Sequence, residues 1–260
     1  MEAVLDGPLV PPPAIALALT EGHRAVGEFA ALALARRWLN KMPTGDGHGV
    51  MVLPGFMGDD GYNAPLRKYL DSLNYVASGW GQGRNLGPRG DLLERVVERM
   101  AELVEETGGK ITLIGHSLGG IYARELAKEA PDLVRQTISL GSPFGEGRDT
   151  GSYPRRLFSL LNPDEEITVD QNELNDPPPV PTTAVFSRAD GIVNWRTAYQ
   201  SGEHSQVQNI EVWGSHCGLT LNPTVWFLLA ERLRQTEANW QPFERRAWRA
   251  LFYPQTNVGE

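Results

Sequence analysis

Ile111-Thr112-Leu113-Ile114-Gly115-His116-Ser117-Leu118-Gly119-Gly120 runs a short aliphatic stretch directly into a helical pattern that extends from Leu118 to Ala130. A short apolar run rich in β-branched residues and closed by glycine is the signature of a buried strand. When a strand turns into a helix on one residue, the two backbones nearly touch, so the positions two before and two after the corner have no room for a side chain. Gly115 and Gly119 occupy those positions. The corner residue is then held in a strained conformation that exposes its side chain, and the start of the helix turns its amides and positive dipole end towards it. That residue is Ser117, the candidate nucleophile.

Outward from this corner the same texture repeats on both sides. Val50–Leu53, Tyr75–Ser78, Ile111–Ile114, Thr137–Leu140, Thr183–Phe186 and Ile210–Trp213 read as strands, and Ala64–Leu73, Asp91–Glu106, Leu118–Ala130 and Pro223–Gln235 as helices. Strands separated by helices of ten or more residues predict an α/β protein with a mostly parallel, doubly wound sheet covered on both faces. Upstream, Ala14–Asn40 is rich in Ala and Leu and predicts one or two helices, so residues 1–48 form a helical extension, 49–236 the main domain and 237–260 a tail packing on it. Between Leu140 and Thr183 a proline-rich insertion, 142–181, breaks the rhythm and predicts a lid with one short helix, Arg155–Leu161.

Composition narrows the partners. The 260 residues carry 24 Lys and Arg against 32 Asp and Glu, a net charge of −8, which disfavours a polyanion such as nucleic acid. Cys217 is the single cysteine, so no internal disulfide forms. The acidic opening Met1–Asp6 lacks the basic leader of a secretory signal, and no apolar run reaches the roughly 18 to 20 residues of a membrane span. These features predict a cytoplasmic protein. The apolar N-terminal helix and the aromatic tail, with Trp240, Phe243, Trp248 and Phe252, leave open mutual packing, a dimer contact or peripheral contact with a lipid surface; the oligomeric state is not set by the sequence.

A serine hydroxyl needs a neighbouring base. Of five histidines, His216 follows the last predicted strand in Gly214-Ser215-His216-Cys217-Gly218, where a loop at the carboxyl edge of the sheet would carry it. His23, His48, His116 and His204 lie in a helix, before the first strand, beside the serine and in a polar loop. The imidazole in turn needs a carboxylate to orient it, and Asp190 stands in the turn after Thr183–Phe186. For a developing oxyanion, the backbone amides of Leu118 and of Phe56, in Leu53-Pro54-Gly55-Phe56-Met57-Gly58, are the expected donors, with Met57 a lesser option. Met57, Trp80 and Phe144 are candidate walls of a substrate pocket. No His or Cys pair has metal spacing, and Gly81-Gln82-Gly83 lacks the third glycine of a dinucleotide loop, so neither metal nor cofactor is expected.

The order Ser117, Asp190, His216, with the corner motif, Leu53-Pro54-Gly55-Phe56, Trp80–Gly87, Ser187–Val193, Ser215–Leu219 and Trp240–Phe243, resembles the esterase and lipase branch of the α/β-hydrolase fold over about residues 49–233. It is similar to an intracellular bacterial group of that superfamily described mainly by fold. The resemblance implies an α/β-hydrolase fold and hydrolysis of a small-molecule ester or lipid through an acyl-enzyme, without implying a particular substrate. The sequence departs from many lipases in having Leu53-Pro54-Gly55 where they carry His-Gly. The same residues would serve an acyltransferase or thioesterase, and a catalytically idle binding module is a third reading. The acidic balance of the insertion argues against strongly anionic substrates.

Overall fold

Strand β1 (Gly49–Leu53) sends Val50 and Val52 to one face and Met51 and Leu53 to the other, and each pair enters a different apolar cluster. This is the period of two expected of a strand buried on both sides. The computed structural model describes residues 10–147, 151–154, 158, 162, 174–236, 239–256 and 258. Among these, β1 joins β2 (Val76–Gly79), β3 (Ile111–His116), β4 (Val134–Leu140), β5 (Thr182–Phe186) and β6 (Val207–Glu211) in one sheet of order β2-β1-β3-β4-β5-β6. Every neighbouring pair is parallel.

Helices cover both faces. On one side lie α1 (Ile15–Leu39), α2 (Ala64–Ser72) and α5 (Pro223–Leu233), which bury Leu32 and Leu39, Leu66 and Leu70, and Leu228 and Leu229 against Val50, Val52 and Ile114. On the other lie α3 (Leu92–Thr107) and α4 (Leu118–Glu129), with Val96, Met100, Leu103 and Leu126 packed on Met51, Leu53 and Leu113. The spacing Leu92, Val96, Met100, Leu103 is one face of a helix, and Gly108 ends α3 in a left-handed cap at φ 71°. In the tail, which includes a short α6 (Arg249–Phe252), Phe243 and Tyr253 enter the same cluster as α5, and the Tyr253 hydroxyl donates to the Thr224 carbonyl at 2.7 Å.

Two strands differ in extent from the sequence reading by more than two residues. β4 starts at Val134, because Arg135 and Gln136, which interrupt the apolar pattern, are buried and bonded: Arg135 reaches Asp46 at 2.7 Å and Gln136 the Arg232 carbonyl at 3.3 Å. β6 pairs over Val207–Glu211 and stops short of Trp213, because its partner β5 ends at Phe186. In the N-terminal extension, read as one or two helices, the described residues form one, α1. The helix expected at 155–161 lies, apart from Phe158, outside the described residues, as do most of the insertion's acids.

The α1 helix buries Glu21 together with Leu32 and Leu39, whereas Leu19, Val26 and Leu34 face outwards. Its apolar content alone therefore does not set which way it faces. Among the described residues no helix is long and apolar enough to cross a membrane.

Strand order reverses at β1 and β3, since β2 lies on one side of β1 and all later strands on the other. In open α/β sheets the crevice beyond the carboxyl ends of such a strand pair is where ligands bind. The segments leaving β1 and β3 are Pro54–Gly58 and Ser117.

Candidate active site

Ser117 sits between β3 and α4 with φ 52° and ψ −121°. A non-glycine residue held at positive φ costs about 1–3 kcal/mol and persists only where its surroundings over-determine it. Here they do: a Cβ on Gly115 would lie 2.2 Å from the Gly119 carbonyl oxygen, and one on Gly119 would lie 2.4 Å from that of Leu53. Strand β1, strand β3 and the first turn of α4 thus meet at backbone contact, and the Ser117 amide is tied to the Leu140 carbonyl at 2.9 Å.

Asp190 and His216 come together over 26 residues of sequence, with His216 Nδ1 2.7 Å from Asp190 Oδ2. The other carboxylate oxygen, Oδ1, accepts the amides of Ile192 at 2.8 Å and Val193 at 2.7 Å, which fixes the plane of the group. An ionised carboxylate only accepts, so Nδ1 of His216 carries the proton and Nε2 keeps its lone pair for the cavity that His216 shares with Ser117. Burial by itself lowers the basicity of this imidazole, but the Asp190 charge and hydrogen bond, joined by the Glu21 charge, outweigh it and raise the pKa above the usual 6.5.

The remaining histidines are placed otherwise. His116 is packed against the His216 ring with centroids 4.9 Å apart, and its Nε2 donates to the His216 carbonyl at 3.0 Å. Burial, and then the proximity of His216, push it down to about 3, so it stays neutral. His48 is buried and bonded to Asp46 and Thr112, while His23 and His204 are exposed. Burial, followed by the charge of Glu21, pushes the Cys217 thiol up to about 11, which keeps it protonated and a poor nucleophile.

The loop after β1 separates the two candidate oxyanion donors. The Met57 amide donates to the Asn85 carbonyl at 2.7 Å and is committed, whereas among the described residues the Phe56 and Leu118 amides have no hydrogen-bond partner. Asn85 is the bracket of this loop: it is fully buried, its amide donates to the Gly58 carbonyl at 2.8 Å and its Nδ2 to the Pro54 carbonyl at 2.8 Å. Sequence reasoning passed over its role, and a lone Asn among glycines carries no signal beyond a turn.

Two cavities meet at Ser117, Phe56 and Pro154. The wider, about 310 Å³, is bounded by Met57, Tyr62, His116, Ile192, His216 and Cys217. The smaller, about 80 Å³, is walled by Leu118, Ile121, Ser152, Phe158, Leu174 and Val193 and is mostly apolar. Of the three expected pocket walls, Met57 borders the wider cavity, and Trp80 and Phe144 border neither. Trp80 is buried in the α3/α4 cluster with its indole N–H donated to Gly83. Phe144 is buried beneath the Arg124 guanidinium, 3.7 Å from its ring centre. The insertion supplies Pro154, Phe158 and Leu174 instead, which packing across the chain decides and local sequence does not.

The largest omission is α1. Glu21 Oε1 accepts the amides of Gly191 at 2.7 Å and His216 at 3.1 Å, and Oε2 accepts that of Cys217 at 3.0 Å. Arg24 pairs with Glu21 at 2.7 Å and donates to the Ala189 carbonyl at 2.5 Å. One turn on, Glu28 accepts the Ser215 amide at 2.6 Å and Asn222 Nδ2 at 3.3 Å. These bonds explain the helix orientation: its carboxylates face the loops of Asp190 and His216.

The model of the alpha/beta hydrolase family matches residues 48–255. Among solved structures, the chain is similar to lipase B of Aspergillus fumigatus, with 18% identity, a TM-score of 0.56, and 73% of this chain and 53% of that one covered. It is also similar to a monoacylglycerol lipase of Paleococcus ferrophilus, with 15% identity, a TM-score of 0.52, and 73% and 96% covered. A third is the 2-hydroxy-6-oxo-6-phenylhexa-2,4-dienoate hydrolase of Rhodococcus sp. strain RHA1, with 16% identity, a TM-score of 0.53, and 74% and 92% covered. At these identities the likeness is one of fold, and the neighbours differ in what they cleave. With the family model spanning the sheet, the Ser117 corner and the tail, the chain belongs to the alpha/beta hydrolase family.

Proposed function

We propose that this protein is a serine hydrolase that cleaves carboxylic esters of small-molecule or lipid type through an acyl-enzyme. One observation carries the reading: a serine held at φ 52° opens onto the same cavity as a histidine whose far nitrogen is locked by a buried aspartate.

In this mechanism Ser117 Oγ attacks the ester carbonyl while its proton passes to His216 Nε2. The Phe56 and Leu118 amides receive the oxyanion, and the fixed Asp190 stabilises the imidazolium. Collapse of the tetrahedral intermediate breaks the bond to the alcohol, which leaves with the proton held on His216. Water then enters, gives a proton to His216 Nε2 and attacks the acyl carbon; collapse breaks the bond to Ser117 Oγ, which takes that proton back from His216 as the acid leaves. The small apolar recess beside Leu118 suits a short acyl chain, and the wider cavity bordered by Tyr62 and Ile192 suits the alcohol.

A fluorophosphonate probe tests this directly. Ser117 is expected to be the one serine labelled, and labelling at other sites alone would remove the proposal. The pH profile follows from His216. Because only the neutral imidazole accepts a proton and its pKa lies above 6.5, kcat/KM for p-nitrophenyl butyrate is expected to fall as pH drops, with the acid limb centred above pH 6.5. A limb centred near pH 5 would contradict the assigned base.

A further inference from the structure

We propose that Glu21 is a positioning residue for the catalytic base, tying the loops that carry Asp190 and His216 into one frame. The inference rests on the hydrolase reading and extends it to a helix that lies outside the family-matched segment, 48–255.

Three amides from two loops converge on one carboxylate, across 170 residues of sequence to Gly191 and 195 to His216. The donors are the neighbour of Asp190, His216 itself and Cys217. Besides the Asp190–His216 contact itself, a further tie between the loops is Ser187, whose hydroxyl donates to the Gly214 carbonyl at 2.7 Å and accepts the Gly214 amide at 3.2 Å. That tie sits a residue or more back from both catalytic side chains. Glu21 acts at the point where the distance between Asp190 and His216 is set, and without it three N–H groups at the site lose their acceptor.

The position also makes Glu21 electrically visible to the imidazole. The titratable groups around His216 are Asp190 on its own ring, Glu21 and Arg24 from α1, His116 from the end of β3, and the adjoining Cys217. Tyr62 lies further out, stacked on His116 with its hydroxyl on the Cys217 carbonyl, and Glu28 reaches the loop through Ser215. Glu21 adds negative charge that favours the imidazolium, the form that the base takes up after removing the serine proton. A helix that only stabilised the domain would leave that titration unchanged.

The test uses the full chain. Glu21→Gln keeps the volume but removes the charge and one acceptor. It is expected to lower kcat for p-nitrophenyl butyrate by about 10- to 100-fold, the range that a small misplacement of a catalytic group costs, with KM within about twofold of wild type. The His216 imidazole, followed by NMR, is expected to titrate at lower pH, and the acid limb of Ser117 labelling to move with it. Leu34→Ala, on the exposed side of α1, is expected to match wild type in all three. Should Glu21→Gln fail to fold, Gly191→Ala applies the same question sterically, since its Cβ would stand 2.5 Å from the Leu17 carbonyl and force α1 away from the Asp190 loop. A folded variant of either kind with a wild-type His216 titration and kcat overturns the inference. Absence of Ser117 labelling in the wild type would instead sink the hydrolase reading, and the NMR titration would still decide the role of Glu21.

Discussion

Ser117→Ala is expected to lower turnover of p-nitrophenyl butyrate by three or more orders of magnitude while leaving the fold intact, the loss that follows removal of a nucleophile from a working triad. The thiol beside the base does not substitute for the hydroxyl. The Cys217 thiol borders the same cavity but is held protonated by burial and by Glu21. The corner geometry adds a second, independent readout. Alanine retains a Cβ at φ 52° and keeps the strain, whereas glycine adopts that conformation freely. Ser117→Gly should therefore be as inactive as Ser117→Ala but more stable, by about 1 kcal/mol, or roughly 2–4 °C in Tm for a domain of this size. Activity within tenfold of wild type in Ser117→Ala removes the nucleophile assignment, and equal Tm values for the two variants would mean that the corner stores no strain.

What could be read in the sequence was local. Gly115 and Gly119 flank the serine because strand and helix collide within five residues, so the constraint is written where it acts. Asp190 and His216 were legible for a related reason: each closes a strand at the carboxyl edge, and position along an alternating pattern suffices to bring strand ends together. The pocket was not legible. Trp80 and Phe144 follow strands as Ser117 does, yet one is drawn into the α3/α4 core and the other is pinned by Arg124. That the Met57 amide is committed rests on a single bond to the Asn85 carbonyl, which no pattern announces. Least visible was α1, read by its aliphatic composition as a packing or interfacial helix. Leu32 and Leu39 pack it on the core, but its facing is fixed with the polar residues Glu21, Arg24 and Glu28, which have partners far along the chain, and a carboxylate on a helix looks solvated until three amides are found waiting for it.

Asp190→Asn is expected to cost about 10³- to 10⁴-fold in kcat, and the hydrogen bonds around the carboxylate say why the loss should be so large for a change of one atom. Oδ1 accepts from the Ile192 and Val193 amides, so the asparagine oxygen must take that place; the reverse orientation would set an NH₂ group against two N–H donors. The amide nitrogen is then left at the position of Oδ2, 2.7 Å from His216 Nδ1, and it can only donate. Nδ1 must become the acceptor, the ring proton moves to Nε2, and the nitrogen facing the cavity loses the lone pair that receives the Ser117 proton. Raising the pH does not restore it, because the imidazole is already neutral but in the wrong tautomer. The profile should therefore show a depressed plateau, with an acid limb displaced to lower pH by the lost charge. A variant that keeps more than a tenth of wild-type kcat at its plateau would mean that another carboxylate orients His216, and Glu21, bonded to the backbone of the same residue, would be the first to examine.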